Sequence, residues 1–158
     1  MSDGAVPPPP AVPTEPQPQG FSGWLLLLAI GVCLSPIRTL VEFAQEFDDY
    51  GKVWRVPNGQ IIVLTEVAIN LTLLALEVVT MVAMLNRYRV FPKLFTWLWL
   101  AAFFLPLVDL MVTASLFPQV AGNLFGADFF KAMLSAIVRG LWVWYVLASV
   151  RVKNTFTK

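Results

Sequence analysis

The stretch FFKAMLSAIVRGLWVWYVLASV, residues Phe129 to Val150, decides how this chain folds. Its length matches the roughly 20 helical residues needed to cross a hydrocarbon core of about 30 Å. Near its middle stands Arg139. A guanidinium is always charged, and at the centre of a bilayer it costs about 2.5–3.5 kcal/mol by insertion scales. The segment therefore reads as one member of a bundle whose other members answer the charge. Acidic residues stand ready in the other apolar segments at Glu66, Glu77 and Asp109, and Arg38 poses the same problem in the first of them. The reading is a helical bundle organised round an intramembrane charge network of Arg38, Glu66, Glu77, Asp109 and Arg139.

Composition agrees with the bilayer. Of 158 residues, 58% are hydrophobic and 13% charged, where a soluble domain carries roughly a quarter charged residues. The net charge of +1 offers no global field for nucleic acid. Histidine is absent and Cys33 is the only cysteine. Catalysis by serine–histidine or cysteine–histidine is thereby excluded, an internal disulfide is impossible, and no metal or cofactor is expected. Cys33 reads as a small core residue.

Residues 1–20 hold seven prolines, Pro7 to Pro10 among them, and no apolar run. That composition predicts a disordered, proline-rich tail ahead of a single membrane domain over residues 21–158. Four spans are expected, at about 23–42, 61–85, 94–117 and 129–150, giving an all-α, four-transmembrane-helix bundle. Trp24 suits a headgroup-level anchor, and Ser35-Pro36 interrupts the first span. After it, Phe43, Phe47, Tyr50 and Trp54 recur on one helical face with Glu46, Asp48, Asp49 and Lys52 between them. This predicts an amphipathic segment lying in the membrane interface. Its acidic residues read as a solvated face; a hard-cation site there is the less common alternative. Pro57-Asn58-Gly59 and Gly122-Asn123 read as turns.

Within the spans the polar residues fall into stripes. Glu66, Asn70 and Glu77 share one face of the second, Asp109 and Thr113 one of the third, and Lys131, Ser135 and Arg139 one of the fourth. Arg38 and Glu42 stand at i, i+4 and can pair along their own helix. Basic residues collect in the loop after the second span (Arg87, Arg89, Lys93) and at the C-terminus (Arg151, Lys153, Lys158). The positive-inside rule then places both termini in the cytoplasm. Depth arithmetic at 1.5 Å per residue lets Arg38 reach Glu66 or Asp109, and puts Arg139 between Asp109 and Glu77.

The ends of the membrane domain carry a resemblance. Gly23-Trp24-Leu25, Gly31 and Ser35-Pro36-Ile37-Arg38 open it; Arg89 to Lys93, with Phe91-Pro92, forms the central loop; and Tyr145, Ser149 and Arg151-Val152-Lys153-Asn154-Thr155-Phe156 close it. In these features residues 21–157 resemble a family of small bacterial inner-membrane proteins known as domain of unknown function 2569. The resemblance implies a four-helix protein of the bacterial inner membrane and no established activity. Taken by themselves, Arg151 and Lys153 suit a helix C-terminus and anionic headgroups. A docking motif for a cytoplasmic partner is the sharper alternative.

Three functions compete on these residues. A non-enzymatic accessory or interaction subunit, whose partners are the lipid bilayer and other membrane subunits or a second copy, is favoured by the lack of any nucleotide loop, ligand cluster or activated nucleophile. A small oligomeric transporter or proton- or ion-conducting unit would use the intramembrane charges, with Pro36 and Pro106 supplying helix breaks. An enzyme on lipid-borne substrate would need Asp109, Glu66 or Glu77 as acid or base, and nothing places a nucleophile beside them.

Overall fold

A computed structural model of the chain describes residues 20–118 and 127–158. The proline-rich tail up to residue 19 and the turn at Gly122-Asn123 lie outside the described residues. Among the described residues four long helices and one short helix follow in order: α1 Trp24–Val53, α2 Gly59–Leu85, α3 Phe91–Leu116, α4 Ala127–Ala148 and α5 Val150–Thr155. Among the described residues there is no strand.

Helix ends follow local chemistry. Gly23, at φ 58°, turns the chain into α1, which then runs 30 residues and continues through Pro36. Beyond Glu42 its apolar run gives way to charged and aromatic residues, yet the helix persists to Val53 because Glu, Gln, Ala and Lys are all tolerated in helices. Phe43, Phe47 and Tyr50 contact one another along this last part, with ring centroids 6.1–6.2 Å apart. The turn into α2 needs Asn58 in the left-handed region. It also needs a glycine next, because a Cβ on Gly59 would collide with the Val53 carbonyl. At the end of α2 the Tyr88 N–H bonds the Ala83 carbonyl and the Arg87 N–H the Met84 carbonyl. That pair of bonds is a Schellman cap, and it places Arg87 at φ 58°, where glycine is usual. Pro92 occupies the first turn of α3, where its missing N–H costs nothing.

At 1.5 Å per residue α1, α2 and α3 are about 45, 40 and 39 Å long, and each is apolar enough to cross a membrane. A shorter apolar stretch, Met133–Ala148, lies in α4. Large apolar side chains such as Leu64, Trp97, Met111 and Trp144 point outward. In water such a surface would aggregate; against lipid tails it is solvated. These are the features of a multi-pass membrane protein.

The helices pack as a sequential row, α1 on α2, α2 on α3 and α3 on α4. Among the described residues α1 and α4 do not pack along their lengths; they meet at one end, where the Trp24 and Trp142 rings lie 6.1 Å apart. The apolar core sits at that same end. Leu25, Met84, Phe91, Val146 and Val152 are completely or almost completely buried there, joined by Phe156, with Cys33 half-buried against them. The chain's ends are clasped over this core. Phe156 stacks on Phe91 at 4.4 Å and meets Phe21 edge-on. The Gly20 N–H donates to Thr155 Oγ1 at 2.9 Å. Lys158 and Thr157 are held by the α2–α3 turn through Arg87 and Arg89. Both described termini therefore lie at one end of the bundle, here called the clasped end.

Candidate functional site

Above the core the helices part and leave a cleft of about 630 Å³ walled by α1, α2, α3 and α4. Its lining is mixed. Leu27, Phe95, Leu98 and Trp142 supply apolar surface, and Ser35, Arg38, Glu42, Glu46, Glu77 and Arg139 supply hydrogen-bonding and charged groups. Among the described residues α1 and α4 form no packed seam beside the cleft.

Three polar residues mark the inner level. Counted along their helices, Glu77, Arg139 and Ser35 lie about 12, 14 and 17 Å from the clasped end. Ser35 Oγ donates to Glu77 Oε1 and so ties α1 to α2. Glu77 is only 9% exposed, and its Oε2 has no hydrogen-bond partner among the described residues. Arg139 lines the same cleft from α4. Its backbone is positioned by Trp99, whose indole N–H donates to the Ala136 carbonyl at 3.1 Å and whose ring lies 3.4 Å from where a Cβ on Gly140 would stand. Gly140 thus lets α4 approach α3 closely.

Arg38, about 21 Å from the clasped end, is neutralised on its own helix by Glu42, Nε to Oε1 2.7 Å. Among the described residues neither Arg38 nor Arg139 makes an ion pair with Glu66, Glu77 or Asp109. The short i, i+4 reach to Glu42 outcompetes any partner across the bundle for Arg38.

Glu66 and Asp109 belong to an outer level instead. They lie about 28 and 27 Å from the clasped end, with Glu46 at about 33 Å, and these three carboxylates interact electrostatically. Glu46 Oε2 accepts from the Tyr50 hydroxyl at 2.8 Å and from Asn70 at 3.4 Å. One carboxylate oxygen of Asp109 is buried without a hydrogen-bond partner among the described residues. Among the described residues no cluster of acidic or cysteine ligands is arranged to hold a metal ion.

The structure thus divides the five charged residues of the sequence reading. Glu77 and Arg139 share the inner cleft, Arg38 stands between levels, and Glu66 and Asp109 join Glu46. Sequence reasoning missed Ser35 as the partner of Glu77, Trp99 as the support of Arg139, and the Glu46–Tyr50–Asn70 cluster. For the last there was a signal, since Glu46 and Tyr50 are spaced i, i+4 on the amphipathic face.

The motif residues at the chain's ends have structural work. Trp24 meets Trp142, and Ser35 and Pro36 lie on the inner face of α1, Pro36 buried. Arg151 bonds the Ser22 hydroxyl and, at 3.2 Å, the Ser22 carbonyl. Val152, Thr155 and Phe156 are buried, while Lys153 is exposed and Asn154 half-buried. A separate short helix, α5, carries Arg151 and Lys153; they do not sit on the last turn of α4, because Ser149 is extended and breaks the helix. Phe156 turns into the core and is not free for a partner.

Comparison with known proteins finds no match among curated proteins and none among solved structures. A family model does match, over residues 18–157. It therefore takes in the clasp at both ends and the whole charged cleft, and on that match the chain belongs to the family described as Protein of unknown function (DUF2569).

Proposed function

We propose that this protein is a non-enzymatic accessory or interaction subunit of a membrane complex, working by binding within the bilayer. In this reading four helices span a bacterial inner membrane, with α4 the fourth and the clasped end in the cytoplasm. The aromatic face of residues 43–54 lies in the opposite interface. The observation that carries it is the closed end of the cleft. Beneath Ser35, Glu77 and Arg139 lies a layer of buried Leu25, Met84, Phe91, Val146 and Val152. A conducting path needs polar or hydrated lining throughout, and a layer of buried apolar side chains interrupts it. Charges held above such a layer serve to bind and to fix helix register.

Gentle purification of the full chain from its native membrane tests this, with a stoichiometric membrane partner as the expected result. Cysteine labelling in a Cys33→Ala background tests the topology: a cysteine at Asn123 reacts from outside, and reaction only from the cytoplasmic side would contradict it. The second reading is an oligomeric transporter. It is favoured by Pro36 beside Ser35 and by Pro106 on the cleft wall, where helix breaks would let the closed end open. An isolated oligomer that moves a solute across liposomes would establish it.

A further inference from the structure

Among the described residues, two groups lining the cleft lack partners. Glu77 is nine-tenths buried, with Oε1 bonded to Ser35 and Oε2 unpartnered. Arg139 makes no ion pair among the described residues, whereas the charge of Arg38 is already met by Glu42. Glu77 and Arg139 wall the same cleft from α2 and α4, about 12 and 14 Å from the clasped end. An occupant that satisfies both must bring a hydrogen-bond donor and an anion together. A lone anion would leave the carboxylate oxygen unmet, and a lone cation would leave the guanidinium unmet.

Size and access narrow the choice. One turn of a helix, about 5.4 Å long and 10 Å across, fills about 420 Å³. The cleft, at about 630 Å³, encloses less than two turns, far short of a whole spanning helix. It suits a headgroup-sized molecule. Leu27 and Leu34 on α1 and Trp142 on α4 line it as well, and because α1 and α4 have no packed seam among the described residues, the gap between them offers a sideways route for something already dissolved in lipid.

We propose that the cleft binds the headgroup of a phospholipid bearing a primary ammonium group beside its phosphate. The ammonium donates to the Glu77 carboxylate, whose Oε2, shielded from the cleft in the free protein, turns to meet it. The phosphate accepts from the Arg139 guanidinium, whose planar fork matches phosphate oxygens. The acyl chains leave through the α1–α4 gap over the leucine side chains. This rests on reading the cleft as a binding site rather than a conduction path.

Native mass spectrometry of the full chain in mild detergent tests it, with phosphatidylethanolamine, phosphatidylcholine, phosphatidylglycerol and free phosphoethanolamine as probes. Expected is retention of phosphatidylethanolamine at least tenfold tighter than phosphatidylcholine, which has no N–H to give, and tighter than phosphatidylglycerol. Glu77→Gln should cut that preference to threefold or less, and Arg139→Leu should weaken all three phospholipids at least tenfold. Because a variant can fail to fold, a phosphatidylethanolamine with a photoreactive acyl chain is also applied to the unaltered protein. It should label the α1–α4 gap and be displaced by phosphatidylethanolamine but not by phosphatidylcholine. Equal retention of the ethanolamine and choline lipids, or label spread over the outward faces, would overturn the headgroup assignment alone. Displacement by free phosphoethanolamine at matched concentration would make the ligand water-borne and overturn it too. If no lipid is retained or labelled, the binding-site reading fails with it.

Discussion

Replacing Phe156 by alanine should loosen the whole bundle, although Phe156 is two residues from the C-terminus and outside every span. Its side chain is 5% exposed, stacked on Phe91 and edge-on to Phe21. A buried phenylalanine removes about 150–200 Å² from solvent, worth about 4–5 kcal/mol at 25 cal/mol per Å². That figure is an upper bound, because the released C-terminus stays partly collapsed, which trims it by about a quarter. Adding about 0.5–1.5 kcal/mol for the ring pair and subtracting what alanine retains leaves about 3–4 kcal/mol, in line with other buried Phe→Ala changes. The water reference applies because the clasp lies beyond the apolar spans; inside lipid the transfer gain would vanish. Thermal unfolding in mild detergent should show a midpoint at least about 6 °C lower, scaling from about 2–4 °C per kcal/mol for a chain of this size. Phe156→Leu keeps most of the area and should recover over half the loss. Because Phe91 stacks on the same ring, Phe91→Ala and Phe156→Ala should together cost less than their sum. A Phe156→Ala midpoint within about 1 °C of the parent would refute the claim that the C-terminal motif is a structural clasp.

Ser35→Ala removes the α1–α2 link to Glu77, and because hydrogen bonds within membranes average only about 0.6 kcal/mol, the expected loss is below about 1 kcal/mol by thermal unfolding. Gly59→Ala pushes a Cβ into the Val53 carbonyl; unfolding should show a loss of about 1–3 kcal/mol, and an unchanged midpoint would mean the α1–α2 turn is built differently. Arg87→Gly relieves a left-handed residue, worth about 1 kcal/mol, but gives up the guanidinium 5.6 Å above the Phe21 ring, worth about 0.5–1 kcal/mol. Its midpoint should stay within about 2 °C of the parent, and a large gain or loss would show that one of those terms is absent.

The apolar helices are legible in the sequence because the bilayer sets both their length and their composition. The expected spans at 61–85 and 94–117 differ from α2 and α3 by three residues or fewer at each end. The first differs more. Its apolar run ends near Glu42, but backbone hydrogen bonding is indifferent to that change, so α1 continues to Val53. The clasp is not legible, because Phe156 and Phe91 are 65 positions apart and an aromatic near a C-terminus carries no sign of its partner. For the charges, spacing within a helix shows Arg38 with Glu42, while pairing between helices depends on rotation and start point. α3 begins at Phe91, three residues before the expected start, which moves Asp109 about 4.5 Å farther from the clasped end, toward the level of Glu66. Ser35 reads as part of a helix break, and only the packing of α1 on α2 turns it toward Glu77.

The most direct test of the account is ion flux. Purified full-length protein is placed in liposomes carrying imposed proton and potassium gradients, over a range of protein-to-lipid ratios. A cleft closed by Leu25, Met84, Phe91, Val146 and Val152 binds but does not conduct, so both gradients should decay no faster than in protein-free liposomes. Decay that rises in proportion to protein, and that Glu77→Gln or Arg139→Leu abolishes, would show a path through the closed end and contradict the account.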